Sequence, residues 1–454
     1  MNKNEALTHL RVTFSRFYLG LGYPVLIGAL VFLGHAFAVE LYLLALSVTV
    51  TSLGLVLTRR ARPLVFFVIS FVYQVSRKNA PGIPEPSDYY FTSWRLLVLI
   101  LLIAILLGAV IYYAARVRLF AVRGLKKTPL LIPLATLSLS FITNGAFSGK
   151  WNSASLIFGV MEALCYTVLF VFFYHVLLRE DDGLVDYFVY CSAVLAVVIT
   201  LEVLWCYIAQ ENPVKENLLF GWGIWNTAGV ALTVLVPTSL LGFAKGKIWY
   251  LPVAGLTLLG AFLSMSRNAM LVGAVVTVIS LAVMAAYGKR RIFALVTLGV
   301  GAVSLIGIFI IFGEGVLAAA SSFLNDNGRY EIWRMGIENF LSAPLFGVGF
   351  FGADFGTFFT ADFLPTMAHQ TFIQLLSAMG VFGLSAYLFY RGATLVPFIK
   401  NHSFEKTALA VSILALLLES MLDNFVFYFL PTLHYTVLLA VVFVVYNRGR
   451  QNNH

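Results

Sequence analysis

The chain has 454 residues, 60% hydrophobic, 15% aromatic and only 11% charged, with a mean hydropathy of +0.90. Soluble domains carry about 25% charged residues, so this composition excludes a soluble globular protein, a disordered chain and a disulfide scaffold. The net charge of +9, from 30 Lys+Arg against 21 Asp+Glu, points in so apolar a chain to cytoplasmic loops rather than to nucleic acid.

The first 17 residues are polar and basic, and the apolar run after them is long enough to span rather than be cleaved as a signal peptide. Apolar segments then follow near 18–36, 40–58, 63–76, 95–115, 129–147, 154–178, 184–208, 223–243, 248–264, 268–287, 292–312, 370–390, 405–423 and 427–446. A span needs about 20 residues. The segments predict an all-α polytopic integral membrane protein of about 14 transmembrane helices (12–14), a single membrane domain over 1–454. The third segment is short and Pro133 interrupts the fifth. Cys165, Cys191 and Cys206 lie inside apolar runs without metal or redox spacing and read as small buried hydrophobes. No internal repeat or low-complexity linker divides the chain.

Cytoplasmic loops carry the excess of Lys and Arg. With the N-terminus inside, 22 of the 30 basic residues fall on the inner side, among them Arg59, Arg60, Arg62, Arg116, Arg118, Arg123, Lys126, Lys127, Lys245, Lys247, Arg391 and Arg448. The remaining eight are Arg77, Lys78, Arg95, Lys150, Lys215, Arg267, Arg329 and Arg334. This bias predicts both termini in the cytoplasm. Residues 313–368 then form one large extracytoplasmic loop, with six acids (Glu314, Asp326, Glu331, Glu338, Asp354, Asp362) and two bases. Long loops in compact proteins are functional or disordered, and the apolar content of this one argues against disorder. Within it Tyr330, Trp333, Ile337, Phe340 and Leu341 recur at helical spacing, opposite Glu331, Arg334 and Glu338, which predicts an amphipathic interfacial helix ended by Pro344. The stretch Phe346-Gly347-Val348-Gly349-Phe350 follows, whose glycines serve either a turn or a close approach to a ligand.

On the outer face the candidate chemistry falls on few residues. Arg267, in Ser264-Met265-Ser266-Arg267-Asn268, stands at a membrane boundary where bases are scarce. It is either a snorkelling anchor or an anion site, because a guanidinium fork matches phosphate oxygens in pairs and the amides of a helix starting near Ser266 would add to it. Arg329 precedes the amphipathic stripe and either pairs with a neighbouring acid such as Glu331 or joins Arg267 on a diphosphate. His369 stands at the mouth of the twelfth segment, where a neutral imidazole can take a proton from a sugar hydroxyl or orient it. No second His or carboxylate stands at metal spacing. Glu162, Glu202, Glu419 and Asp423 are acids within or at the ends of spans, functional candidates by default. Glu419 and Asp423 share a helical face near its outer end, to line a cavity, pair with an outer arginine or hold structure.

In order along the chain, Trp222-Gly-Ile-Trp225-Asn226, Ser264-Met-Ser-Arg267-Asn-Ala, Gly328-Arg329-Tyr-Glu-Ile-Trp333 with Ser342-Ala-Pro344-Leu-Phe-Gly347-Val-Gly349, and Ala368-His369-Gln370-Thr-Phe-Ile-Gln374 with Gly380-Val-Phe-Gly383 resemble the motifs of the O-antigen ligase and O-antigen polymerase superfamily of bacterial membrane glycosyltransferases. The resemblance covers roughly 220–390, and Gln370 replaces the Asn of the family's His-Asn element. It implies a GT-C-like helical fold and a polyprenyl-diphosphate-linked oligosaccharide donor. It also implies a glycan or lipid acceptor, outer-face chemistry, and neither metal nor other cofactor. Carried over, Arg267 and Arg329 hold the diphosphate and His369 activates the acceptor. Asn226, Trp333, Arg334, Gln370 and Asp423 are the further substrate-site candidates. The leading expectation is a polymerase of surface polysaccharide in the bacterial inner membrane. A ligase that moves finished glycan to a lipid or protein acceptor is the alternative, and a flippase or transporter of lipid-linked sugars is a third.

Overall fold

In the computed structural model the described residues are 3–76, 89–119, 128–180, 183–209, 225–323, 328–353, 355, 367–399 and 403–451. Among them 82% are helical and none is in a strand. Every apolar segment read from the sequence becomes a helix. The first is bent: α1 (Lys3–Leu19) meets α2 (Gly22–Phe37) at 72°. Next come α3 (Glu40–Thr58), α4 (Leu64–Val75), α5 (Ser93–Arg116) and α6 (Leu131–Ile142), then α7 (Ser153–Leu177), which contains a π-helical turn at Leu164–Val168. They are followed by α8 (Leu184–Ala209), α9 (Trp225–Ala244), α10 (Tyr250–Leu263), α11 (Arg267–Tyr287) and α12 (Arg291–Phe323). The amphipathic stripe is α13 (Arg329–Ser342), and α14 (Thr371–Thr394), α15 (Phe404–Leu422) and α16 (Phe429–Gln451) close the chain.

Seven of these helices are long and apolar enough to cross a membrane, or eight with the bent α1–α2 pair, among the described residues. The helices at 64–75, 131–142 and 250–263 are shorter than a full span. Helix α12 runs on to Phe323 rather than ending near 312, so the interval between the eleventh and twelfth segments opens with helix. Within that interval Asp326, Asp354 and Asp362 lie outside the described residues, as do Arg77, Lys78, Arg123, Lys126, Lys127, Lys215, Lys400 and the start of the Trp222–Asn226 motif.

Helix α9 is the hub, buried along its length and packed on α8, α10, α11 and α15. Its small residues permit this. A Cβ on Gly229 would lie 2.6 Å from Ser264 Oγ, and one on Gly242 would lie 2.5 Å from the Tyr250 ring. In a lipid medium helices associate by such close packing rather than by hydrophobic drive. Helices α5 and α12 stand at the periphery and expose Leu97, Ile111, Ile292, Val303 and Ile310, the pattern of lipid-facing surface.

Helix α14 is broken at Gly380 (φ +65°, ψ −162°). A break inside lipid must have its freed backbone groups satisfied. Residues 344–349 do this: Val348 and Gly349 donate to the Ser377 and Ala378 carbonyls at 2.9 and 3.0 Å, while Val381 and Phe382 donate to the Pro344 and Leu345 carbonyls at 2.9 and 3.1 Å. The Gly-rich stretch is therefore spent on backbone approach to α14. A Cβ on Gly347 (φ +68°) would fall 2.3 Å from the Ala378 carbonyl carbon. Asn144 and Ser155 fasten the next two amides, accepting from Phe350 N at 3.1 Å and Phe351 N at 2.9 Å.

Candidate active site

The turn between α10 and α11 carries Arg267. Ser264 Oγ donates to the Ala261 carbonyl (2.7 Å) and accepts from Ser266 N (3.3 Å), and Met265 takes the left-handed conformation at φ +54°. Ser266 caps α11, its Oγ accepting from Ala269 N at 3.4 Å. Arg267 is thus the first residue of α11, half-buried, where the helix amides and dipole favour an anion. Asn226 lies in the first turn of α9, one turn before the Gly229 that packs on this same turn. Asn268 Nδ2 donates to the Leu422 carbonyl at 3.3 Å, which joins the Arg267 turn to the end of α15.

The residue after α15, its C-cap Asp423, faces His369. The Nδ1–H of His369 donates to Asp423 Oδ1 at 3.0 Å, and the same oxygen accepts from Asn424 N at 2.8 Å. The carboxylate is closed off at 4% side-chain exposure, while the imidazole is reachable at 26%. With Nδ1–H spent on the carboxylate, Nε2 is left as a base. His369 sits at φ +50°, strained for a non-glycine residue. The strain is held by Gln374, whose Oε1 accepts from Ala368 N (2.7 Å) and Asn424 Nδ2 (3.2 Å), and by Thr371 Oγ1 donating to the Ser420 carbonyl (2.8 Å). These bonds tie both flanks of the His369–Asp423 pair together. Asp423 therefore pairs with a histidine rather than with an outer arginine. Gln374 stood in the sequence motif without a role of its own and Asn424 was not singled out, although a Gln in an apolar helix was the available signal.

Gln370 caps α14 through Oε1, which accepts from Ile373 N at 2.7 Å. Its carbonyl oxygen thus serves the helix end. Arg329 opens α13 after Gly328 (φ +80°). That helix lies on the start of α14: Ile332 shares a cluster with Val348, Phe355 and Ala368, and Gly336 leaves the space that Ile373 fills. Arg329 therefore rides on a helix anchored beside His369. Arg334 points away, paired with Glu331 (2.5 Å) and Glu338 (2.9 Å) at 63% exposure. Its hydrogen bond and charge hold the Glu331 carboxyl below the usual carboxylate range. Trp333 meets Tyr330 edge-on at 5.4 Å, and its indole N–H is buried without a hydrogen-bond partner among the described residues.

The arrangement offers an accessible base oriented by a buried carboxylate, with an arginine at a helix N-terminus joined to the same end of α15. Residues 252–388 match the family model of the O-antigen ligase. The match upholds the superfamily resemblance read from the sequence motifs. It runs from α10 through most of α14 and takes in Arg267, Arg329, Trp333 and His369, leaving Asn226 and Asp423 on either side. No curated protein matches the chain.

Proposed function

We propose that this chain is a membrane glycosyltransferase that joins polyprenyl-diphosphate-linked oligosaccharides on the outer side of the bacterial cytoplasmic membrane, acting as a polymerase. The observation that carries the chemistry is the His369–Asp423 pair, joined through Leu422 to the turn that bears Arg267. The acceptor hydroxyl loses its proton to His369 Nε2 as its oxygen attacks the anomeric carbon of the donor. The C1–O bond breaks and its electron pair leaves with the diphosphate. Arg267, the α11 amides and Arg329 face the charge growing on that leaving group and stabilise the transition state more than the ground state. In-line attack inverts the anomeric centre. Asp423 holds the imidazole in the acting tautomer and stabilises the imidazolium, so it is a positioning residue. Trp333 and Asn226 are assigned to the sugars, and Arg334 to bracing α13. No resident cofactor takes part. Both termini are then cytoplasmic, and all fourteen apolar helices belong to one bundle, the shorter ones completing their spans with flanking residues.

The matched family model is described as an O-antigen ligase, and a ligase would transfer the glycan to a lipid or protein acceptor with the same machinery. One experiment separates the readings. Purified chain in nanodiscs is given lipid-linked repeat units alone, beside the Arg267→Ala variant. A glycan ladder that vanishes in the variant supports the polymerase. Transfer only after an acceptor lipid or protein is added identifies the ligase. A ladder of equal intensity in the variant would sink the diphosphate role of Arg267.

A further inference from the structure

The connection that carries Asp423 is buried. Helix α15 ends at Leu422, α16 begins at Phe429, and a 3₁₀ turn at Phe425–Phe427 lies between them. Asp423, Asn424, Phe425, Val426 and Phe427 are each at most 3% exposed. Connections ordinarily run over the surface, because buried backbone polar groups have no water to bond. A connection inside a membrane domain persists only where the protein itself supplies the partners.

Those partners can be followed along the chain. Asn268 Nδ2 holds the Leu422 carbonyl, and Asp423 N donates to the Glu419 carbonyl at 2.9 Å. Phe427 N and Tyr428 N donate to the Asn424 and Phe425 carbonyls at 2.9 and 3.3 Å. The Val426 carbonyl takes two hydroxyls, from Tyr166 at 2.7 Å and from Thr432 at 2.9 Å. Thr432 belongs to α16 itself. Tyr166 comes from α7, 260 residues earlier in the chain, and lies before the matched stretch 252–388. It sits at the centre of the π-helical turn Leu164–Val168. Such turns are rare and recur at functional sites. Its ring is buried against Phe141 at 5.7 Å and edge-on to Tyr390 at 5.8 Å, so close packing fixes where the hydroxyl points.

We propose that Tyr166 is a positioning residue of the candidate active site: its hydroxyl fixes the turn after α15 and thereby the contact of Asp423 with His369. The inference rests on the His369–Asp423 reading given above. His369 is held from α14, whereas Asp423 is placed by its own turn. The Asn424 bond to Gln374 secures one end of that turn and the Tyr166 bond to Val426 secures the other. The half of the chain before the family match thus takes a part in placing the reacting groups.

The experiment uses the full chain in nanodiscs, with its histidines labelled with nitrogen-15. Tyr166→Phe removes the hydroxyl and keeps the ring. Tyr23→Phe is the control, since it deletes another buried hydroxyl, the one bonded to Thr51 Oγ1 at 2.6 Å between α2 and α3. A displacement of about 1 Å at a reacting group can cost about a hundredfold in rate. Thr432 still holds the Val426 carbonyl, so Tyr166→Phe should lower kcat by about tenfold, with the donor KM within about threefold. The His369 Nδ1–H proton signal, assigned by its absence in His369→Asn, should shift or broaden in Tyr166→Phe. Tyr23→Phe should keep both kcat and the signal. If Tyr166→Phe does not fold, Thr432→Val, which removes the other hydroxyl, carries the same comparison. An unmoved signal would overturn the inference, as would an unchanged kcat where Asp423→Asn loses it. An equal loss of kcat in Tyr23→Phe would reduce Tyr166 to general stability. The signal reports the contact without turnover. If Asp423→Asn leaves transfer intact, the reaction scheme falls, and the signal still decides whether Tyr166 places Asp423.

Discussion

Replacing Asp423 by Asn keeps the shape of the His369 partner and removes its charge. The structure sets the size of the effect. The carboxylate is 4% exposed, so water cannot take its place, and it meets His369 Nδ1 at 3.0 Å. Unit charges about 4 Å apart interact by about 4 kcal/mol at the effective dielectric constant of 20 that suits protein sites. A hydrogen bond to a charged group contributes about 1.5–3 kcal/mol by substitution. In the proposed step His369 takes up the acceptor proton, so losing about 3–4 kcal/mol from the charge that develops there lowers kcat by about 10²–10³-fold at 1.36 kcal/mol per decade. Asp423 touches no substrate in this scheme, so KM for the lipid-linked donor should stay within about threefold, as for a group that acts only in the transition state. The assay is single-turnover transfer in nanodiscs at saturating donor, with melting temperature as the folding control. A kcat within threefold of wild type in a folded Asp423→Asn protein would refute the positioning role. A large rise in KM at unchanged kcat would move Asp423 to direct sugar contact.

His369→Asn should fold better than His369→Ala, because Asn tolerates the φ of +50°, and both should lose transfer while still binding donor in a filter assay. Arg329→Ala should raise the donor KM and lower kcat, and Arg329→Lys should recover only part of it, since a point charge lacks the bidentate fork. Arg334→Ala should change transfer by less than about threefold, because its ion pairs with Glu331 and Glu338 are exposed and screened by solvent; a hundredfold loss would assign Arg334 to substrate. Gly347→Ala should abolish accumulation of folded protein, read by size-exclusion fluorescence, since its Cβ would overlap the Ala378 backbone 2.3 Å away. The Glu331–Arg334 pair, with Glu331 pulled below its usual range, steadies α13 fully above the ordinary Glu value of about 4.3. That support fades as pH falls below this value, so the protection of amides in 329–342, taken relative to their intrinsic exchange rates at each pH, should drop at pH 3.5 relative to pH 7.

Much of this molecule is local and therefore legible in the amino-acid order. Runs of apolar residues became helices with ends, that of α12 apart, within a few positions of those read, and the periodic stretch from Tyr330 to Leu341 became α13, because helix formation depends on neighbours three and four apart. Yet α13 packs on the protein through Ile332, Gly336 and Asn339, while Tyr330, Ile337 and Leu341 stay exposed. Arg267, Arg329 and His369 were visible as polar residues in an apolar chain, and the Pro344–Gly349 and His369–Gln374 motifs carried the family resemblance. What crosses between helices was not legible. Asp423 lies 54 residues from His369, and its two other sequence-level options, an arginine or a cavity, fitted the helical face equally well. Residues 344–349 look like a turn or a ligand loop until the break at Gly380 supplies the carbonyls they bond. Arg391 reads as a loop cation until the rings of Tyr387 and Tyr390 on α14 and Tyr435 on α16 surround it. Periodicity states which face of a helix is buried, but the partner on that face comes from packing, which brings together side chains that no local pattern relates.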